Sequence, residues 1–110
     1  MMQDTISKIE SRLQNSGSLP DNTRAELLHL LAQLKLEVAR LAATHAEQAQ
    51  SIASFAEVSA FEAMREKKNP ASLAHSIGGM ESSVTEFEAS HPQLVAVVNR
   101  LSNMLSNMGI

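Results

Sequence analysis

No cysteine occurs in the 110 residues, which removes disulfides and thiolate metal sites and makes a reducing cytoplasm the simple expectation. Tryptophan and tyrosine are missing too, and only three phenylalanines are present, so there is no aromatic platform on which bases would stack. Positive charge is scarce: nine Lys and Arg against twelve Asp and Glu leave a net charge of −3, and the one cluster is Arg65, Lys67 and Lys68. Phosphate binding needs a basic face, so nucleic acid is not an expected partner. Nowhere do about 18 apolar residues follow one another, and Met1-Met2-Gln3-Asp4 has no basic segment leading into an apolar one. Neither a membrane span nor a secretory signal is expected. With three prolines and four glycines, long stretches are free of helix breakers.

What the chain has in quantity is alanine, and its placement is ordered. Alternating strides of three and four from Ala25 meet Leu28, Ala32, Lys35, Ala39, Ala42, Ala46, Ala49, Ala53, Ala56, Ala60 and Ala63, so ten of twelve positions are alanine. Helix propensity favours alanine anywhere in a helix and cannot choose a face. A strict 3.5-residue period describes a helix wound against a partner. One helix is therefore expected over about residues 22–67, roughly 60 Å long at 1.5 Å per residue. Downstream, Leu73, Ile77, Met80, Val84, Phe87, His91, Leu94, Val98, Leu101, Leu105 and Met108 keep the same stride without a slip. Pro92 removes a helical hydrogen bond there, and Ser90-His91-Pro92-Gln93 has the S-x-x-Q form of a capping box. The shared phase favours a kink over a full turn, giving helices at about 70–90 and 92–108.

The ends and joints read more simply. Met2, Ile6, Ile9 and Leu13 form one face of a short helix at about 3–16, which Gly17 can close. A turn follows around Pro20, with Asp21 or Asn22 as the next cap. Asn69-Pro70 supplies a cap and a first-turn proline, Lys67 and Lys68 suit the negative end of the preceding helix, and Gly78-Gly79 suggests close backbone contact or a second bend. Gly109 stops the last helix, and Ile110 tucks back. The expected fold is all-α, one domain over 1–110. It is a long antiparallel helical hairpin, coiled-coil-like, with an Ala-lined seam, a second arm kinked near Pro92, and the short N-terminal helix packed on its open end. That arrangement pairs the Leu27 level with Ile110 and the His45 level with His91.

Beside the alanines runs a second stripe of Leu27, Leu31, Leu34, Val38 and Leu41, then His45 and Gln48, then Ile52 and Phe55. The first helix covers the lower part, which leaves Ile52 and Phe55 bare, with Val58 and Phe61 close by. Exposed apolar patches of this kind mark interfaces, so Ile52, Phe55, Val58 and Phe61 are the expected self-association residues of a homo-oligomer, most simply a two-fold dimer. His45, Gln48 and His91 interrupt the apolar stripes at one level and read as a structural polar layer that fixes register.

Glu26-x-x-His29 and Glu88-x-x-His91 have the carboxylate–imidazole spacing of di-iron bundles. In the hairpin their histidines lie roughly 25 Å apart, which counts against a di-metal site; His45 and His91, at one level, could instead hold a metal with Glu88, so the metal candidates are His45, Glu88 and His91. No catalytic residue and no cofactor is assigned, since there is no phosphate loop, nucleophile elbow or H-E-x-x-H. The expected role is that of a non-enzymatic helical scaffold or adaptor for an unknown protein partner. A metal-binding helical bundle is one alternative. Another is a peripheral membrane helix at Leu94–Ile110, for which only Arg100 would meet anionic lipid.

The segments Ser51-Ile52-Ala53-Ser54-Phe55, Glu62-Ala63-Met64-Arg65-Glu66 with Asn69-Pro70, and Phe87-Glu88-Ala89-Ser90-His91-Pro92 through Val98-Asn99-Arg100 to Asn107-Met108-Gly109-Ile110 carry a further signal. In them the chain resembles the small bacterial proteins grouped as domain of unknown function 4404. The resemblance covers most of the chain past Leu27. It implies a short helical cytoplasmic protein and transfers no catalytic or binding residue.

Overall fold

In the computed structural model, which describes residues 2–17 and 19–108, the chain forms five α-helices and one short 3-10 turn. The helices are α1 (Met2–Gln14), α2 (Asp21–Ala42), α3 (Ala46–Ala63), α4 (Pro70–Val84) and α5 (Pro92–Met108), with the 3-10 turn at Thr85–Phe87 between the last two. No strand occurs among the described residues. Gly109 and Ile110, expected to end the last helix, lie outside them.

The all-α expectation holds, but the single helix over 22–67 does not: it is two helices joined at Ala43, Thr44 and His45. The second arm is likewise interrupted rather than kinked, ending its first helix at Val84 and restarting at Pro92. The pieces pair in order. Glu26, Thr23 and Leu19 share a groove with Met104, Asn107 and Met108, while His45 meets Phe87 and Phe87 meets His91, so α2 and α5 run antiparallel. Val58 and Glu62 lie beside Ala71–Ser76, and Glu47–Phe55 beside Ser83 and Glu86, so α3 and α4 do the same. Both arms bend at one level, which folds the hairpin in half and lays α3 and α4 back on α2 and α5. The resulting body measures 38 × 25 × 21 Å, far from a rod of roughly 60 Å.

The reason is apolar area. Leu27, Leu30, Leu31, Leu34, Val38 and Leu41 of α2 are all buried, a face wider than one opposing arm covers. Burying each such side chain contributes about 1.5–3 kcal/mol, whereas the backbone hydrogen bonds given up at a break contribute about 0.5–1.5 kcal/mol each. Folding over wins although the break contains neither Gly nor Pro.

The alanine seam divides at the same point. Ala49, Ala53, Ala56, Ala60 and Ala63 are buried at the centre of the molecule, where α3 touches every other helix. Ala25, Ala32, Ala39 and Ala46 face solvent, so the trough proposed along the whole first arm exists only in α3. Ile52, expected to be bare, is fully buried, because the folded arm brings α2 back over α3 and α1 runs alongside.

Helix α1 is clamped antiparallel to α2 and parallel to α3. Lys35 Nζ donates to Glu10 Oε1 at 2.7 Å and Ser7 Oγ at 3.1 Å, Lys8 pairs with Glu57 at 3.2 Å, and the Arg12 guanidinium lies 4.7 Å from the Phe61 ring centre. The turn between α1 and α2 closes on Arg24, which donates to the carbonyls of Leu13, Ser16 and Leu19. No side chain caps α2, whose N-cap residue is Pro20; Asn22 instead accepts from the adjacent Thr23 N–H. Asn69 caps α4 by accepting from Ser72 N–H at 3.2 Å, with Pro70 at the first turn. Lys68 reaches back to the Ala63 carbonyl at the end of α3, where a cation suits the helix dipole.

Candidate functional site

Among the described residues, chemistry-bearing or apolar side chains gather at the two bends, in the groove where the hairpin tip meets its open end, and on the outward face of α2.

At the bends, His45 and His91 each stand edge-on to the buried Phe87 ring, with centroids 5.2 and 5.8 Å away. Each imidazole Nδ1 is hydrogen-bonded to the hydroxyl of the residue before it, Thr44 at 2.8 Å and Ser90 at 3.0 Å. The Ser90 hydroxyl is thus turned to the ring beside it, and α5 begins at Pro92. The structural polar layer of His45, Gln48 and His91 is not assembled. His45 is exposed and His91 half-buried, and Gln48 instead lines a groove with Ser51, Phe55, Ser83 and Glu86. A polar side chain that reaches water has no need of a buried partner.

Nor do the metal candidates converge. Glu88 is exposed, and no group of three or more His, Cys, Asp or Glu placed to hold a metal ion occurs among the described residues. Glu26 and His29 lie on an exposed groove between α2 and α5 with Leu30, Gln33, Arg100 and Asn103.

An open groove of about 760 Å³ has a floor of Leu19, Met64, Met104 and Met108 and a rim carrying Glu26, Arg65, Glu66 and Lys68. Opposite charges share that rim, and Arg65 is already paired with Glu62 at 3.0 Å. It therefore selects no ligand charge.

The four expected self-association residues are dispersed in role. Ile52 is interior, Phe61 is half-buried beneath Arg12, and Phe55 and Val58 remain 37 % and 48 % exposed. The Phe55 ring lies across Gly79, where a β-carbon would come within 2.9 Å of its Cδ1, whereas one at Gly78 would meet nothing within 4 Å; of the glycine pair, only Gly79 has a close contact, and it is with a side chain. Sequence reasoning missed Leu36, which is 53 % exposed on α2. It stands off both apolar stripes, and that offset was the signal. No helix among the described residues is long and apolar enough to cross a membrane.

Fold and sites together define a small helical bundle in which no group of three or more His, Cys, Asp or Glu is placed to hold a metal ion among the described residues. The chain belongs to the family of the domain of unknown function DUF4404, whose profile matches residues 2–110. Neither a curated protein nor a solved structure matches it.

Proposed function

We propose that the protein is a non-enzymatic helical scaffold that works by self-association, with the outward face of α2 as the contact between copies. The observation that carries this reading is Leu36, more exposed than Val58 or Phe55. It stands between Ala32 and Ala39 on a face that also bears Ala25 and Ala43, all of them exposed. Methyl side chains leave room for a second helix to approach closely, since interaxial distance depends on the side chains at the contact. In a two-fold antiparallel pairing, Leu36 of each copy sits over the alanines of the other.

Light scattering from micromolar to millimolar concentration tests the reading. The mass of the native chain rises from 11.9 kDa toward twice that value, and Leu36→Glu, which places a charge at the centre of the contact, holds it at the single-chain mass. A native chain that keeps the single-chain mass throughout contradicts the proposal.

A further inference from the structure

Because the chain holds no cysteine, the methionine thioether is the only sulfur it offers to an oxidant. Met80 is fully buried in the core, whereas Met64, Met104 and Met108 are half-buried and line one open groove, that of about 760 Å³ where the hairpin tip meets its open end. They come from distant parts of the sequence. Met64 ends α3, its N–H donating to the Ala60 carbonyl at 3.0 Å, and Met104 and Met108 stand one turn apart in the last part of α5, a spacing that puts both on one helix face. Two of the three look both ways. Met64 and Met108 also line a crevice too narrow for water, among Leu13, Leu27, Leu31 and Leu101, where α1, α2, α3 and α5 converge. Met104 instead lines a second open groove, beside His29, Gln33 and Arg100. Solvent therefore reaches one flank of all three side chains, and behind Met64 and Met108 lies the core.

We propose that Met64, Met104 and Met108 form a site of reversible oxidation by hydroperoxides, and that the sulfoxides of Met64 and Met108 loosen the hairpin tip from its open end. In the reaction a sulfur lone pair attacks the outer oxygen of the peroxide. An S–O bond forms, the O–O bond breaks, and the remaining oxygen takes the proton and leaves as water or an alcohol. Sulfur loses two electrons and the peroxide gains them. The product is polar where the thioether was apolar. At Met104 the new dipole stays among open grooves and is hydrated. At Met64 and Met108 it faces a crevice whose lining residues are all apolar and supply no side-chain donor, and a polar group buried without a hydrogen bond is costly. The open side does hold donors, the Asn107 amide and the Lys68 ammonium among them, so the oxidised side chain turns outward and gives up its contact with the core. Met80 stays out of reach while the chain is folded. The site is independent of the self-association reading, since none of the three methionines lies on α2.

The test treats the native folded chain with hydrogen peroxide and weighs its peptides at intervals. Met64, Met104 and Met108 gain oxygen about tenfold faster than Met80 or more, and the difference vanishes when urea unfolds the chain. Met64 or Met108 reacting no faster than Met80 overturns the site. Chains carrying a single sulfoxide are then separated and unfolded in urea. Sulfoxide at Met64 or at Met108 raises the unfolding equilibrium constant about tenfold or more, sulfoxide at Met104 raises it less, and the pair of reductases that act on the two sulfoxide epimers restores the native value. Unchanged constants for the Met64 and Met108 sulfoxides, or an equal rise at Met104, overturn the loosening. Met64→Leu with Met108→Leu keeps the apolar volume and holds its unfolding constant through the same treatment. A tenfold rise in that variant puts the effect at another methionine and overturns the loosening as well. The single-sulfoxide measurements on the native chain decide whether or not the variant folds.

Discussion

The Phe55 ring lies across Gly79, so a methyl group added there would meet the ring, with Cζ within 2.9 Å, whereas one added at Gly78 would meet nothing within 4 Å. Two adjacent glycines of one helix therefore have different reasons to be small. Gly78→Ala raises stability by about 1 kcal/mol, the helix-propensity difference alone. Gly79→Ala gains the same propensity but must swing the ring toward solvent, so its net effect falls below that of Gly78→Ala. Urea unfolding of the two variants side by side checks the order.

Ile52 is fully buried within its own chain and Leu36 is half in water. Truncating Ile52 to alanine removes buried apolar volume and lowers stability by about 2–5 kcal/mol, by the same amount at every protein concentration. Leu36→Ala stays within about 0.5 kcal/mol under dilute conditions. Denaturant midpoints at two concentrations separate a core residue from a contact residue.

Arg24 gathers three carbonyls from the α1–α2 turn, those of Leu13, Ser16 and Leu19, and pairs with Asp21 at 2.9 Å. Carbonyls left without a donor lose about 1–3 kcal/mol, and Arg24→Ala loosens the turn that holds α1 on the bundle. Hydrogen exchange of α1 amides accelerates in that variant more than exchange in α3.

Ser59 and Ser102 are buried, and their hydroxyl oxygens find no hydrogen-bond partner among the described residues. Replacing each with alanine removes an unsatisfied hydroxyl without opening a cavity of consequence. Stability rises by about 1 kcal/mol per site, read as a higher midpoint with an unchanged denaturant slope.

Much of this architecture is visible in the residues themselves. The stride that selects Ile6, Ile9 and Leu13, the Asn69-Pro70 cap, and the apolar faces of α2 and α5 follow from period and turn chemistry, and each lies where that chemistry puts it. The break at Ala43–His45 could not be read, because it holds no Gly or Pro and the weaker helix propensities of Thr44 and His45 are too small to mark it. It is imposed by the area that α2 and α3 bury when folded together, a tertiary gain larger than the local loss. That one missed bend carried the errors at the candidate sites. It buried Ile52, turned Ala25, Ala32 and Ala39 outward, and left Gln48 on a different groove from the histidines. Conversely, the expectation that His45 and His91 share a level survives the folding, since both bends occur there and both rings meet Phe87.

Small-angle scattering at low concentration, where a single chain is observed, tests the folded-over hairpin most directly. The account predicts a radius of gyration close to the 13.0 Å of the Cα trace, raised only by side chains and hydration. A value of about 18 Å, that of a straight pair of helices roughly 60 Å long, would contradict it.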